Sequence, residues 1–392
     1  MLTDTRKQQR IFWLDKIRKA LGQKSVVWLT GVRRAGKTTI CRHILEQGAG
    51  NIPLYDCELP RIRRQLADPE QFFKNMRSKL IAIDEIHKLE DPSSVLKIAA
   101  DYFPHIKVIA AGSSTLHARN KFKDTLTDRK RIVWLTPFNS EDMKAFDGIS
   151  MSERMLKGGL PAFLLKDGGF DEISYEDWMD SFWAKDVQEL FNIDRKGAFM
   201  KLIELLAIRS GGMFEVSTFA SACEISRPTV YNYMNVLELC HLARLIKPFF
   251  TNKHKEVVSC PKAYFFDTGF VSYFNGWSEI HDSEKGTMLE HLVLNELFSI
   301  LPPERIHYWR DKNKNEVDFI LAPRGRPPVA IECKWNSKNF DSSAMKVFRS
   351  YHKGPGNLVV CGNIQDPEAM NHGGLKTKFI GIEHLRNELI KL

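Results

Sequence analysis

The chain has 392 residues, 43% of them apolar and 27% charged, with a formal net charge of +9 at neutral pH. At roughly 100–200 residues per domain this length predicts two to four domains with buried cores. The ordinary composition excludes a disordered or collagenous chain, and no apolar run reaches the roughly 20 residues that a membrane span needs.

Residues 1–150 carry 27 lysines and arginines against 17 acids, while the remainder carries 30 against 31. The N-terminal excess suits a phosphate-bearing partner, and equally suits a solvated surface of like charges. The opening residues lack a signal-peptide pattern. The seven cysteines are scattered, odd in number and never spaced Cys-x-x-Cys, so neither a disulfide framework nor a zinc site is expected. A reducing cytoplasm without a membrane partner is the expectation.

Between residues 25 and 135 the runs SVVWLT, NIPLYDC, KLIAIDE, HIKVIAAG and RIVWLT alternate with helical stretches. That alternation predicts a parallel α/β sheet covered on both faces. The first run leads into GVRRAGKTT, residues 31–39, a Walker A pattern between strand and helix. Gly31 and Gly36 let the backbone amides of Val32, Arg33, Arg34 and Ala35 approach phosphates, Lys37 reaches the β- and γ-phosphates, and Thr38, followed by Thr39, reaches Mg²⁺ at the helix N-terminus. In KLIAIDE a buried strand ends in Asp84 and Glu85, which reads as Walker B: Asp84 for the Mg²⁺ shell, Glu85 for the attacking water.

Residues 140–210 read as helices broken at Gly158, Gly159 and Pro161. In 213–250 a short helix, a turn at Ile225-Ser226, a second helix opened by Ser226 and Pro228 and a β-rich tail form a winged helix-turn-helix pattern. Its second helix holds one cation, Arg227, so DNA binding through Arg227, Thr229, Tyr231 and Asn232 and a purely structural hinge both remain open. A further α/β unit starts near residue 283. Period-two alternation in NEVDFIL and AIECK puts Glu316 with Asp318, and Glu332 with Lys334, on single faces of successive strands.

These motifs resemble the AAA+ ATPases, in particular prokaryotic ATPases that join an AAA domain, a winged helix and a nuclease-like C-terminal domain of uncharacterised function. The likeness covers nearly the whole chain and includes the paired Arg33 and Arg34 of a G-x-R-R-x-G-K-[ST] loop. It implies a polar sensor at Ser113 or Ser114 in VIAAGSST, with Ser113 the catalytic candidate. It also implies an arginine finger near Arg129 and Arg131, and a Gly-x-Pro element at Pro161 like that of origin-recognition and STAND ATPases, closing over adenine. The C-terminal unit resembles the PD-(D/E)xK nucleases. That implies Asp318 and Glu332 as ligands of Mg²⁺ or Mn²⁺, Lys334 as the catalytic cation and Glu290 as an additional acid; Val317 replaces the usual proline.

The expected organisation is an AAA+ P-loop ATPase domain at 1–138, a helical lid or connector at 139–212, the winged helix at 213–252 and a restriction-endonuclease-like domain at 253–392. The expected function is ATP hydrolysis coupled to a metal-dependent site acting on DNA, in a chain that could form a homo-oligomer. The alternative is an ATP-dependent switch or scaffold whose C-terminal domain docks without cleaving.

Overall fold

The computed structural model describes residues 8–47, 53–112, 126, 128–188, 191, 193–250, 260–354 and 356–391. All five N-terminal runs form strands: β1 (Val26–Thr30), β2 (Leu54–Asp56), β3 (Leu80–Asp84), β4 (Lys107–Ala111) and β5 (Lys130–Trp134). They make one parallel sheet in the order β2-β3-β4-β1-β5. Alternate side chains feed two cores. Trp28, Ile81 and Ile83 pack under the helix Pro92–Tyr102, while Val27, Leu29 and Ile109 face the helices Ile11–Gln23 and Lys37–Glu46. The second core runs without a break into the rest of the molecule, as far as Leu385.

The middle of the chain is helical, as expected. Capping boxes open Ser140–Ala145, through Asn139 and Asp142, and Met151–Lys157, through Ser150 and Glu153. The helix Glu172–Phe182 continues into a π-helical turn, Trp183–Val187. Val216–Cys223 and Arg227–Leu239 form the expected helix pair, with Glu224 left-handed between them and Ser226 accepting a hydrogen bond from the Thr229 amide. The ribbon that follows pairs β6 (Ala243–Ile246) antiparallel with β7 (Lys262–Phe265). The domain boundary expected at 252/253 therefore cuts this ribbon. The helix Thr268–Asn275, also beyond that boundary, packs on Met151–Lys157 and Lys196–Ile208.

The C-terminal sheet holds β8 (Ile306–Arg310), β9 (Glu316–Leu321), β10 (Val329–Lys334), β11 (Asn357–Cys361), β12 (Glu368–His372) and β13 (Leu375–Ile380). Its order is β12-β13-β11-β10-β9-β8. β8, β9 and β10 meander antiparallel, and β11 is parallel to β10. The helix Asp282–Ile300 is buried along most of its length because it lies between this sheet and the N-terminal half. Asn295 Nδ2 donates to the carbonyls of Pro137 and Phe138 at 3.2 and 3.1 Å, and Glu296 accepts the Ser140 amide. No helix among the described residues is long and apolar enough to cross a membrane.

One polar knot ties the end of the parallel sheet to the middle of the chain. The Arg154 guanidinium donates to the Phe138 carbonyl and to Thr268 Oγ1, and lies 3.8 Å from Asp267. Asp267 accepts the amides of Gly159 and Gly269 at 2.6 and 3.0 Å. Gly158 has φ +71°, and a Cβ there would stand 1.8 Å from Asp267 Oδ1; one at Gly159 would stand 2.5 Å from the Arg154 guanidinium. Breaking a buried ion pair by removing one partner costs about 3–5 kcal/mol. Asp267→Ala and Gly158→Ala are each expected to lower the urea midpoint by a matching amount; a midpoint within error of wild type would contradict this account.

Candidate functional site

The P-loop follows from β1, whose five residues are all buried. Gly31 has φ +154°, and a Cβ there would lie 2.5 Å from the Leu135 carbonyl oxygen, so the loop needs glycine to turn against β5. Gly36, with φ +93°, caps the helix Lys37–Glu46. From beneath, buried Arg10 donates to the Ala35 carbonyl at 2.9 Å and pairs with Asp142 at 2.6 Å.

Lys37 is 9% exposed and its Nζ donates to the Gly31 and Val32 carbonyls, each at 2.9 Å. Burial lowers its affinity for a proton, opposed by Glu85, Asp186 and Asp84. Thr38 Oγ1 donates to Asp84 Oδ2 at 2.6 Å, and Asp84 Oδ1 accepts the Glu85 amide. Because β4 lies between β1 and β3, Asp84 reaches Thr38 across one strand. Glu85 is left-handed, φ +49°, a backbone cost of about 1–3 kcal/mol that functional turns often retain. Burial and then Asp84 raise its pKa. His87 Nδ1 lies 3.2 Å from Glu85 Oε2; burial depresses the imidazole pKa to about 4, so near neutrality this contact is not an ion pair.

A cleft of about 510 Å³ opens here. Arg33, Arg34, Gly36, Lys37, Thr38 and Thr39 line one side, Glu85 and His87 another, and Pro161 and Asp186 the third. Gly31, Val32 and Ala35 stand behind it: the first two bind Lys37 through carbonyls, and the third binds Arg10. Asp186, which sequence reasoning missed, holds Arg33 Nε at 2.9 Å from the π-helical turn. Trp178 Nε1 donates to the Arg33 carbonyl. Ser113 and Ser114 lie outside the described residues. Arg129 is held in an ion pair with Asp101 of its own chain at 2.6 Å, which counts against its expected role as a finger; Arg131 is exposed on β5.

In the C-terminal sheet β9 and β10 pair antiparallel as far as Phe319 with Ile331, which puts Asp318 and Glu332 at the next positions, close enough for Asp318 to act on the Glu332 carboxyl. Asp318 Oδ2 accepts the Cys333 amide at 2.8 Å, and Lys334 Nζ donates to Glu332 Oε1 at 2.8 Å. Glu332 Oε2 is buried with no hydrogen-bond partner among the described residues. Glu290, on the helix Asp282–Ile300, accepts from Tyr264 OH at 2.9 Å. Lys262, a second residue that the sequence did not single out, approaches Glu316 Oε1 at 2.5 Å. Burial and then Asp318 push the Glu332 carboxyl up to about 8 and that of Glu290 up to about 7. Burial likewise raises Asp318, against Lys334 and Lys262. Among the described residues no three His, Cys, Asp or Glu side chains already stand in an ion-holding group.

On the helix Arg227–Leu239, Arg227, Tyr231 and Asn232 are exposed; Thr229 is half-buried, its hydroxyl 2.8 Å from Ser226 Oγ.

Three families match in succession. One described as an AAA domain covers residues 23–144, and two domains of unknown function, DUF8612 and DUF4143, cover 149–281 and 285–377. The uncharacterized protein Rv2008c of Mycobacterium tuberculosis is 28% identical over 339 residues, 84% of this chain and 75% of its own. The uncharacterized protein MJ1637 of Methanocaldococcus jannaschii is 24% identical over 373 residues, 81% and 77% of the two chains. Among solved structures, the Walker-type ATPase paby2304 of Pyrococcus abyssi aligns over 68% of this chain and 96% of its own, with 15% identity and a TM-score of 0.46. The RuvB Holliday junction branch migration motor of Thermotoga maritima aligns over 64% and 94%, with 18% identity and a TM-score of 0.32. With the AAA match, the P-loop and the parallel sheet, the N-terminal part of the chain is a P-loop ATPase domain of the AAA type.

The raised carboxyls of the C-terminal cluster make stability depend on pH. Unfolded glutamates titrate near about 4.3, so between that pH and the folded values of about 7 and 8 the folded protein holds more protons. Stability then falls as pH rises through this window. In chelator the melting temperature is expected to drop between about pH 5 and about pH 8.5, and Glu332→Gln to flatten the drop. Scanning fluorimetry across that range checks it; an unchanged slope would remove Glu332 from the proton balance.

Proposed function

We propose that the chain is a Mg²⁺-dependent ATPase, hydrolysing ATP to ADP and phosphate, and that its cycle is coupled through a winged helix to a metal-dependent nuclease-like site acting on DNA. The ATPase half is carried by the hydrogen bond between Thr38 and Asp84 beside a buried Lys37. Lys37 is turned onto its own loop carbonyls, which are bonds that an arriving phosphate can replace. The hydroxyl of Thr38 and the carboxylate of Asp84 are the hard oxygen donors that Mg²⁺ prefers, and the ion would neutralise charge on the β- and γ-phosphates.

Glu85 then has one task. Its carboxylate orients a water in line with the γ-phosphorus; the new P–O bond forms as the bond to the ADP oxygen breaks, and the water proton passes to Glu85. The raised pKa of Glu85 favours accepting that proton, and neutral His87 stands 3.2 Å from its carboxylate. Pro161 lines the cleft next to Gly36 and would meet the base. Arg131, on the exposed edge strand, is the remaining finger candidate and would act on a neighbouring copy in a homo-oligomer.

For the C-terminal half, the support is a helix, three antiparallel strands, a helix and a strand parallel to the third, with Asp318 close to Glu332 and Lys334 beside them. This arrangement fits the PD-(D/E)xK resemblance. The orphaned Glu332 Oε2 is a donor that suits a divalent cation. Asp318, Glu332 and Glu290 would hold Mg²⁺ or Mn²⁺, which would stabilise charge on a phosphodiester under attack, with Lys334 assisting. The helix pair with its ribbon supports the winged-helix reading, and Arg227, Tyr231 and Asn232 are the exposed residues that could meet DNA. A regulatory switch or scaffold is the second reading, favoured by the ion pairs that already engage Lys334 and Lys262 with the acids.

ATP turnover with and without DNA, measured alongside Mg²⁺- or Mn²⁺-dependent nicking, separates the two. Lys37→Ala is expected to lose ATP-induced stabilisation. Glu85→Gln should keep that stabilisation and lose turnover by roughly 100-fold or more. Asp318→Asn should lose nicking while ATP turnover persists. Wild-type turnover by Glu85→Gln would sink the Walker B assignment. Absence of nicking on single-stranded, duplex and RNA substrates, together with turnover indifferent to DNA, would give precedence to the switch.

A further inference from the structure

The C-terminal acids are not served by their own sheet alone. Lys262 opens β7, on the ribbon of the middle body, and is 5% exposed. Its ammonium reaches Glu316 Oε1 at 2.5 Å and lies 5.7 Å from the centre of the Tyr308 ring. Two residues on, Tyr264 points the same way and bonds Glu290. One strand of the ribbon therefore delivers both a cation and a hydroxyl to the acid cluster.

The backbone holds that delivery in place. Phe249 donates its amide to the Tyr308 carbonyl at 2.6 Å, the Tyr308 amide donates to the Lys247 carbonyl at 3.2 Å, and Tyr308 OH donates to the Cys260 carbonyl at 2.5 Å. The ribbon thus lies along the free edge of β8. Lys262 pairs with Glu316 and feels Glu290 and Asp318, Lys334 pairs with Glu332, and Glu332 Oε2 is left buried with no hydrogen-bond partner among the described residues.

We propose that the acid cluster is a composite site whose resident cation in the metal-free protein is the Lys262 ammonium, and that a divalent cation competes with Lys262 for these carboxylates. The inference rests on reading Glu290, Asp318 and Glu332 as cation ligands. A second positive centre beside a bound ion repels it in a poorly screened interior. Cation binding therefore weakens the hold of the sheet on Lys262 and on the ribbon that carries it. The reciprocal effect follows by linkage: whatever holds the ribbon down weakens cation binding.

The test is Mn²⁺ binding by calorimetry to the full chain, wild type, Lys262→Met and Lys262→Arg. Lys262→Met is expected to bind Mn²⁺ at least about tenfold more tightly, because a like charge is gone, whereas Lys262→Arg, which keeps the charge, should bind within about threefold of wild type. A merely structural lysine would leave affinity equal or lower in Lys262→Met, and either result overturns the competition. If wild type binds Mn²⁺ and the variants match it, the cation site stands and the competition falls. If no protein binds Mn²⁺, the cation-site reading falls and takes the inference with it. Should Lys262→Met fail to fold, hydrogen exchange of residues 262–265 in wild type decides: faster exchange on adding Mn²⁺ supports competition, and unchanged exchange overturns it.

Discussion

The architecture turns on the close approach of two backbone turns around a buried guanidinium. Arg154 could not stay charged in an interior this dry without several oxygen partners, and it finds them in Phe138, Thr268 and Asp267. Those partners come from the exit of the parallel sheet and from the start of the helix Thr268–Asn275. The turns can meet only because residues 158, 159 and 269 lack side chains; a Cβ at Gly269 would stand 2.5 Å from the Tyr175 hydroxyl. With the knot closed, Pro161 starts its helix beside the P-loop, 3.7 Å from where a Cβ on Gly36 would be. The nucleotide cleft thus owes its third wall to a contact far from any phosphate.

A second buried arginine does for the P-loop what Arg154 does for the interdomain joint. Arg10 ties the loop at Ala35 to the Thr136 carbonyl and to Asp142, whose carboxylate also accepts the Asn139 amide in its capping box. Loop, β5 exit and first middle helix therefore share one hydrogen-bond network. Across the cleft Arg33 reaches Asp186, which sits where the helix widens into a π-turn. Such single-turn widenings are rare and frequently mark functional sites.

Much of this was legible in the sequence. The five strands, the loop, the pair Asp84-Glu85 and the residues Asp318, Glu332 and Lys334 stand out in the sequence because each is local: alternation, a glycine-rich spacing, or two residues on one strand face. What escaped is nonlocal. Asp186 lies 153 residues from its arginine partner, and Lys262 joins an acid site formed by another sheet; neither has a spacing that announces it. The boundary expected at 252/253 misplaced the ribbon for a related reason, since β7 follows a break in apolar patterning yet completes the preceding unit. The unit expected from residue 283 was foreseen, but not that its first helix would be buried on both flanks, because its even spread of apolar residues marks no single wet face.

The N-terminal charge excess reads differently once its members are located. Arg10, Arg33 and Lys37 turn their charge onto Asp142, Asp186 and the P-loop, and Arg129 pairs with Asp101 at the surface. Arg63 caps the carbonyls of Cys57 and Glu58. Fewer cations are therefore open to an external polyanion than the count of 27 suggests, and nonspecific nucleic-acid affinity scales with the number of cations that actually meet phosphates. On the exposed face of Arg227–Leu239 a single arginine stands with Tyr231 and Asn232, a composition better suited to a few oriented contacts than to electrostatic capture. If DNA is the target, it must be held by several weak surfaces acting together. The ribbon that links this helix to the C-terminal acids is the part placed to make their geometry depend on one another.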